Sequence, residues 1–466
     1  MKLDRRNFLR AALAGVGLFG IGGLSPRVAR ATASDQLVLV CYLSGGWDQL
    51  LAFDPRPANA AQYSGNAPYE AGGSGIHPAY DLVNTAWMNE VLAATNGSGI
   101  RKRNNVSFGP AVPAELLDHA NDLCVLRGLN MSTLTHEVGR RFFTTGQFPR
   151  GLQPVGSSLS TIVANAVGPS ATLPNLSLLT ESYNVGMPPG VSPIQVRDAQ
   201  DVRDMLRRLG PELSYGAGAI NDLELGDPSC FGEELDTEGT ASFYRESRVK
   251  AKSMVTSGDD AHFDFDVDNP GSNAALFEAL GITKATDFAT AKGRAAVAAQ
   301  ALTKGVARAV SLRIAEGLDT HNDWATDHPD GVRDGLMTLA GMIAYLKSAP
   351  SPFDGGGSAW DHTTLLVFSE FSRTPLLNNR EGRDHHLSSS CVVAGPGIKG
   401  GQAIGATTDQ GMATRPIDLV TGAPKTGGIT VGPADVIFTL LHSMGITDVS
   451  LGNQPKNLIE AMLKPA

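Results

Sequence analysis

Short apolar runs of four to eight residues, each closed by Gly, Pro or Asp, recur along the chain, with longer helical patterns between them. Gln36–Leu43 is apolar on both faces, which suits a central parallel strand rather than a half-exposed one. Leu123–Leu126, Leu176–Leu179, Val310–Ile314, Thr363–Phe368 and Cys391–Ala394 read the same way. Helical spacing predicts helices over Pro113–Ala120, Ser158–Ala166, Ala274–Leu280, Thr286–Val306, Gly331–Ser348 and Pro433–Met444. Pro113 and Pro433 suit a first helical position, where a missing N–H costs nothing. Strand alternating with helix predicts an α/β fold: a largely parallel sheet flanked by helices on both faces. Residues 180–270 break the pattern, being acidic and rich in Gly and Asp, with an Arg-bearing helix near 198–209. They are expected to form a loop and helix insertion, a lid over the site. Residues 350–358 read as a flexible loop.

The first 33 residues follow another pattern. Asp4-Arg5-Arg6-Asn7-Phe8-Leu9-Arg10 precedes an apolar run from Ala11 to Leu24, then Ala31-Thr32-Ala33. A charged head, a modest apolar stretch and a small-x-small site describe a signal peptide. Paired arginines followed by Phe-Leu mark the twin-arginine type. The run of 14 residues, broken by five glycines, is shorter than the ~20 that a spanning helix needs. Cleavage after Ala33 would leave a mature domain of residues 34–466. The expected partner is the twin-arginine translocase, and the expected location periplasmic or secreted. No later segment is apolar enough to make a stable membrane span.

Charge narrows the partners further. The whole chain carries −9; without the leader, 32 basic residues face 46 acidic ones, a net charge of −14. That balance argues against nucleic acid and anionic membrane surfaces. The four cysteines, 41, 124, 230 and 391, form no CxxC or Cys/His zinc spacing. Cys41, Cys124 and Cys391 lie in apolar runs and read as small buried hydrophobes.

In a parallel sheet, sites form at the carboxyl ends of the strands. That rule collects Asp48 after the first strand, Asp319 and His321 after 310–314, and Glu370 and Arg373 after 363–368, with Asp384 and His385 in the loop before 391–394. Thr135 and His136 follow 123–126 and open a helix, whose N-terminus favours anions; Arg140 or Arg141 would add a bidentate anion contact. Asp361-His362 falls at the N-terminal end of its strand and reads as turn chemistry. Mixed carboxylates and imidazoles suit zinc, manganese or iron, and carboxylates alone lean toward magnesium or calcium. So many acidic groups would repel each other without a cation. Two metals about 3.5–4 Å apart would clamp an ester oxygen and a nucleophile. Each motif alone has a bland alternative: a helix cap for Asp48, a solvated loop for Asp319-x-His321, an ion pair with Arg373 for Glu370, a hydrogen-bonded turn for Asp384-His385, a cap and surface arginines for Thr135 and Arg140. Joint placement at one sheet edge favours the site.

Leu43-Ser44-Gly45-Gly46-Trp47-Asp48-Gln49, Ile76-His77-Pro78, Thr135-His136-Glu137, Thr145-Gly146, Leu318-Asp319-Thr320-His321, Ser369-Glu370-Phe371-Ser372-Arg373-Thr374 and Gly382-Arg383-Asp384-His385-His386 together carry a resemblance. The mature chain resembles the family named domain of unknown function 1501, twin-arginine-exported bacterial proteins in the alkaline phosphatase and sulfatase superfamily. The resemblance implies an alkaline phosphatase-like core and a two-metal site. Asp48, Glu370 and a residue of the 135–136 pair would hold one metal, with Asp319, His321 and His385 near the other. Counting back along the family pattern from Arg140 places His136 where sulfatases carry a nucleophile. His386 and Gln49 replace glycines of the family motifs.

Three readings follow. The first is an exported metal-dependent hydrolase of phosphate or sulfate esters. Its nucleophile would be Thr135 or a water, and Arg373 or Arg140 would steady the anionic substrate. The second is a non-catalytic envelope protein that keeps the fold and a metal. The third is a metal-free binding module.

Overall fold

In the computed structural model, residues 35–64, 75–167, 171–207, 254–447, 451–452 and 456–465 are described. The expected leader, the middle of the expected 180–270 insertion (208–253) and Cys230 lie outside the described residues, while Ile194–Val196 from that stretch is a strand of the main sheet. Eight strands form the main sheet: β1 (Leu37–Leu43), β2 (Cys124–Asn130), β3 (Asn175–Leu178), β4 (Ile194–Val196), β5 (Ala309–Ala315), β6 (Thr363–Phe368), β7 (Ser388–Ala394) and β8 (Gln402–Ile404). Their order is β8-β2-β7-β6-β1-β5-β3-β4. Every pairing is parallel except those of β7, which runs antiparallel to both β2 and β6. The expected class, a largely parallel sheet with helices on both faces, is the architecture observed.

Why β1 is central follows from its side chains. All seven of its residues are buried. Leu39, Cys41 and Leu43 enter one apolar core, while Val38, Val40 and Tyr42 enter the other. Alternation along a strand sends successive side chains to opposite faces, so a strand apolar at every position needs cover on both. On one face that cover is α3 (Ala291–Thr303) and α4 (Trp324–Ser348), through residues such as Val297, Leu336 and Ile343. On the other it is α2 (Leu159–Ala166) and α5 (Pro433–Ser443), through Ile162, Val163, Ile437 and Leu440. Each fully buried Leu, Ile or Val contributes about 1.5–3 kcal/mol relative to an exposed one.

Two expectations shift. The helix predicted from Gly331 begins at Trp324, inside what reads as a polar loop. Trp324 and His328 are wholly buried and one turn apart, so burial of that face draws the polar segment into the helix despite Pro329. The helix predicted over Pro113–Ala120 is a single turn, Ala114–Leu117. Asp361 sits in a short 3-10 turn and accepts from the Ser358 N–H (2.8 Å), the turn chemistry expected of it. Cys41, Cys124 and Cys391 are buried and free.

The strand ends fix where chemistry can gather. The carboxyl ends of β1, β5 and β6 share one edge, and β2 delivers α1 (His136–Thr145) to it. Gly45 turns there with φ +117°, and a Cβ would stand 2.5 Å from the Asp319 backbone nitrogen. Gly139 lets α1 press on the Glu370 backbone: its Cβ would lie 2.3 Å from the Glu370 carbonyl oxygen. At both positions only glycine permits the approach.

Candidate metal centre

Asp319, in the loop after β5, is the hub. Its Oδ1 lies 3.1 Å from His321 Nε2, 3.3 Å from His136 Nε2 and 3.4 Å from His385 Nε2. His321 Nε2 and His385 Nε2 are 3.0 Å apart. The ligand atoms of His136, Asp319 and His385 all fall within 4.8 Å of one another. These side chains come from three separate stretches: the start of α1, the loop after β5 for both Asp319 and His321, and a two-stranded ribbon. In that ribbon His385–His386 pairs antiparallel with Ser372–Arg373 directly after β6, with His385 opposite Arg373.

The far nitrogen of every imidazole is held. His136 Nδ1 meets Glu370 Oε1 at 2.8 Å, His321 Nδ1 meets Asp384 Oδ1 at 2.7 Å, and His385 Nδ1 meets the Leu134 carbonyl at 2.6 Å. Ionised carboxylates and carbonyls only accept, so each Nδ1 carries a proton, which leaves Nε2 as the ring nitrogen that can offer a lone pair inward. Two such lone pairs 3.0 Å apart, beside a carboxylate oxygen, repel unless a positive charge lies among them. The donor set therefore fits a metal: imidazoles whose other N–H is tied to a carboxylate or carbonyl are the usual arrangement of metal-ligating histidines.

The surroundings set the charges. Arg373 is fully buried, and its Nη2 donates to Asp319 Oδ1 at 2.7 Å. Burial alone would raise the Asp319 carboxyl, but the Arg373 hydrogen bond and charge, helped by His136, hold it down at about 2. Glu370 is 1% exposed yet also held low: burial opposes, and the His136 hydrogen bond and charge, with Ser369, outweigh it. Its Oε1 accepts from the Gly45 N–H (3.0 Å) and its Oε2 from the Gly46 N–H (3.2 Å). His136 is raised, because Glu370 and Asp319 overcome the cost of burial.

Not every expected site residue arrives. Asp48, expected as a ligand, is 0% exposed and forms an ion pair with Arg383 Nε at 3.0 Å, outside the His136, Asp319 and His385 group. Its own N–H donates to His328 Nε2 (3.0 Å). The reason is burial: a carboxylate with no access to water needs a cation at contact, and Arg383 supplies it. Glu370 and Asp384, also expected as ligands, stand one step back as acceptors for His136 and His321. Arg373 was expected to steady a substrate; its donors are occupied instead by the carbonyls of Gly45, Gly46 and Arg383 and by Asp319. Arg140 is tied to Glu181 at 2.8 Å. Thr135 is exposed at the N-cap of α1 with no side-chain capping bond. His386 bonds the Gly411 carbonyl (2.9 Å), away from the cluster. Sequence reasoning missed Arg383, Asn378 and the Leu134 carbonyl. Asn378 Nδ2 donates to Asp384 Oδ1 (3.1 Å) and to the His321 carbonyl (3.0 Å). Only Arg383, beside Asp384, carried any signal.

A family model described as protein of unknown function (DUF1501) matches residues 35–452. No curated protein matches the chain in sequence. Similar solved structures include the lipoteichoic acid synthase LtaP from Listeria monocytogenes, at 10% identity over 91% of this chain and 76% of that one, TM-score 0.37. A phosphonate monoester hydrolase from Silicibacter pomeroyi is 12% identical over 71% of this chain and 68% of its own, TM-score 0.26. A protein solved with its substrate D-glucosamine-2-N,6-O-disulfate is 9% identical over 88% and 77%, TM-score 0.30. Among the described residues no helix is long and apolar enough to cross a membrane.

Proposed function

The chain belongs to the DUF1501 family of proteins of unknown function, and on that premise we propose that it is an exported, metal-dependent hydrolase of phosphate or sulfate esters. The observation that carries this reading is the convergence of three imidazole Nε2 atoms and Asp319 Oδ1 at the carboxyl edge of the sheet. A bound cation would supply Lewis acidity toward an anionic ester oxygen and toward water. His136, His321, His385 and Asp319 would hold it.

The chain's own residues prepare that site. Arg373 keeps Asp319 ionised and aimed at the imidazoles. Glu370 and Asp384 lock two of the rings in one orientation and tautomer, so no reorganisation is needed when an anion arrives. The Asp319 side chain is 50% exposed, so water and substrate reach the centre from that side. Thr135 faces solvent without a side-chain bond into the cluster, and His136 is among the inward-facing imidazoles. Water, rather than a side-chain hydroxyl, is then the nucleophile of the proposed reaction.

The test is turnover of 4-nitrophenyl phosphate and 4-nitrophenyl sulfate by the purified chain, after chelation and after zinc or manganese is restored, beside Asp319→Ala. Metal-restored turnover that the variant lacks is expected. The second reading, a non-catalytic envelope protein retaining the centre, is favoured by one observation: Arg373 and Arg140 are both consumed by internal partners. Bound metal without turnover on either ester would select it.

A further inference from the structure

We infer that the centre takes one divalent transition-metal ion, not two and not magnesium or calcium, with Glu370 and Asp384 as positioning residues rather than ligands. This rests on the metal-centre reading above. The first argument is size. Ligand atoms about 2.0–2.1 Å from one ion stand roughly 2.9–3.4 Å from each other. The separations of 3.3 and 3.4 Å between Asp319 Oδ1 and His136 and His385 fit one such shell, and the ligand atoms of those three residues lie within 4.8 Å of one another, with His321 Nε2 beside them at 3.0 Å from His385 and 3.1 Å from Asp319. Two ions about 3.5–4 Å apart would need a second set of donors.

Most of the carboxylate oxygens that could form that second set are committed. Asp48, which the family resemblance would give to a second ion, faces Arg383 with both side chains fully buried. Glu370 spends its oxygens on the N–H groups of Gly45 and Gly46, the Ser369 hydroxyl and His136. Asp384 Oδ1 serves His321 and Asn378. The second argument is ligand chemistry. Imidazole supplies three of the four inward-facing donors, and imidazole suits zinc, iron, nickel or copper, whereas calcium and magnesium demand oxygen shells.

The experiment is elemental analysis and titration of the chelated full chain with Zn²⁺, Co²⁺, Mn²⁺, Mg²⁺ and Ca²⁺, read by bound stoichiometry and by the visible spectrum of the cobalt form. One equivalent of a transition ion, with imidazole-rich cobalt absorption and no competition from millimolar Mg²⁺ or Ca²⁺, is expected. Glu370→Gln and Asp384→Asn should keep one equivalent while weakening affinity about 10–100-fold, the usual loss when an outer partner of a ligating histidine is removed. Two equivalents, or displacement by Mg²⁺ or Ca²⁺, overturn this inference and leave the hydrolase reading standing. No bound ion of any kind in a chain with a native melting profile overturns both. Loss of an equivalent of metal in Glu370→Gln or Asp384→Asn, with melting unchanged, makes that carboxylate a ligand and overturns its positioning role.

Discussion

Two carboxylates leave the same sheet edge and meet opposite fates. Asp48, after β1, is buried against Arg383 and His328. Asp319, after β5, keeps half of its side chain in solvent and meets three imidazoles. Both are bonded or paired with a fully buried arginine. The difference lies in what else reaches each oxygen. Both side chains of that pair are wholly buried, and burial pushes the Asp48 carboxyl up and the Arg383 guanidinium down, each resisted by the other's charge. At the rim Arg373 takes one side of Asp319 Oδ1 and the imidazoles crowd the other. A carboxylate at a strand end thus becomes a structural ion pair or part of a polar centre according to its access to water, not its place in the motif.

The largest effect expected from breaking this comparison is at the buried pair. Asp48→Ala strands Arg383 without a counter-charge and should cost about 3–5 kcal/mol of stability, measured by urea unfolding. Asp319→Ala should show the reverse: a loss of metal retention in dialysis against chelator, with a much smaller change in unfolding midpoint. If Asp48→Ala strips metal from a still stable chain, the division between the two regions is wrong.

Next in size, Gly139→Ala tests the packing that joins α1 to the rim. The added methyl would sit 2.3 Å from the Glu370 carbonyl oxygen, displacing both His136 and Glu370. A loss of about 1–3 kcal/mol is expected from such overpacking, together with weaker metal binding. Unchanged metal affinity would mean that His136 is not held by this contact.

Acid should separate the regions without mutation. His328 is buried and its imidazole is held well below the ordinary value by burial. Only the unfolded chain takes up that proton near pH 6.5, so this contribution is whole above about pH 6.5 and declines below it. Asp319, Glu370 and Asp384 are all held below the ordinary carboxyl range. Their contribution is whole above about pH 4 and is lost as pH falls through the folded values, about 2 for Asp319. Melting curves of the chelated chain from pH 8 to 2 should therefore fall in two stages. Asp319→Ala should blunt the lower stage and leave the upper one; the opposite result would reverse the assignment.

The smallest effect belongs to Thr135. With no side-chain capping bond to lose, Thr135→Ala should change stability by less than about 0.5 kcal/mol and leave metal content as it was. Abolished ester turnover in that variant, with metal retained, would restore Thr135 as the nucleophile.

How far each feature could be read in advance follows from range. The both-face apolar run of β1 specified a central strand without reference to anything distant. The helix from Trp324 did not show itself, because the burial that stabilises it depends on neighbours far along the chain. His136, His321 and His385 were visible as polar residues beyond strand ends, and the edge rule gathered them. Their outer partners were less legible. Glu370 and Asp384 look like ligands in sequence, since a carboxylate one step from the centre has the same spelling as one inside it. The Leu134 carbonyl has no spelling at all.

By itself, then, the sequence determined the period of each element, the largely parallel sheet and the edge where polar side chains collect, because these depend on local alternation and on strand direction. The tertiary structure alone decided that Asp48 turns inward to Arg383 while Asp319 faces three imidazoles. That choice rests on solvent access and on separations of about 3 Å between residues far apart in sequence, such as Asp48 and Arg383, 335 positions apart, which no local pattern encodes.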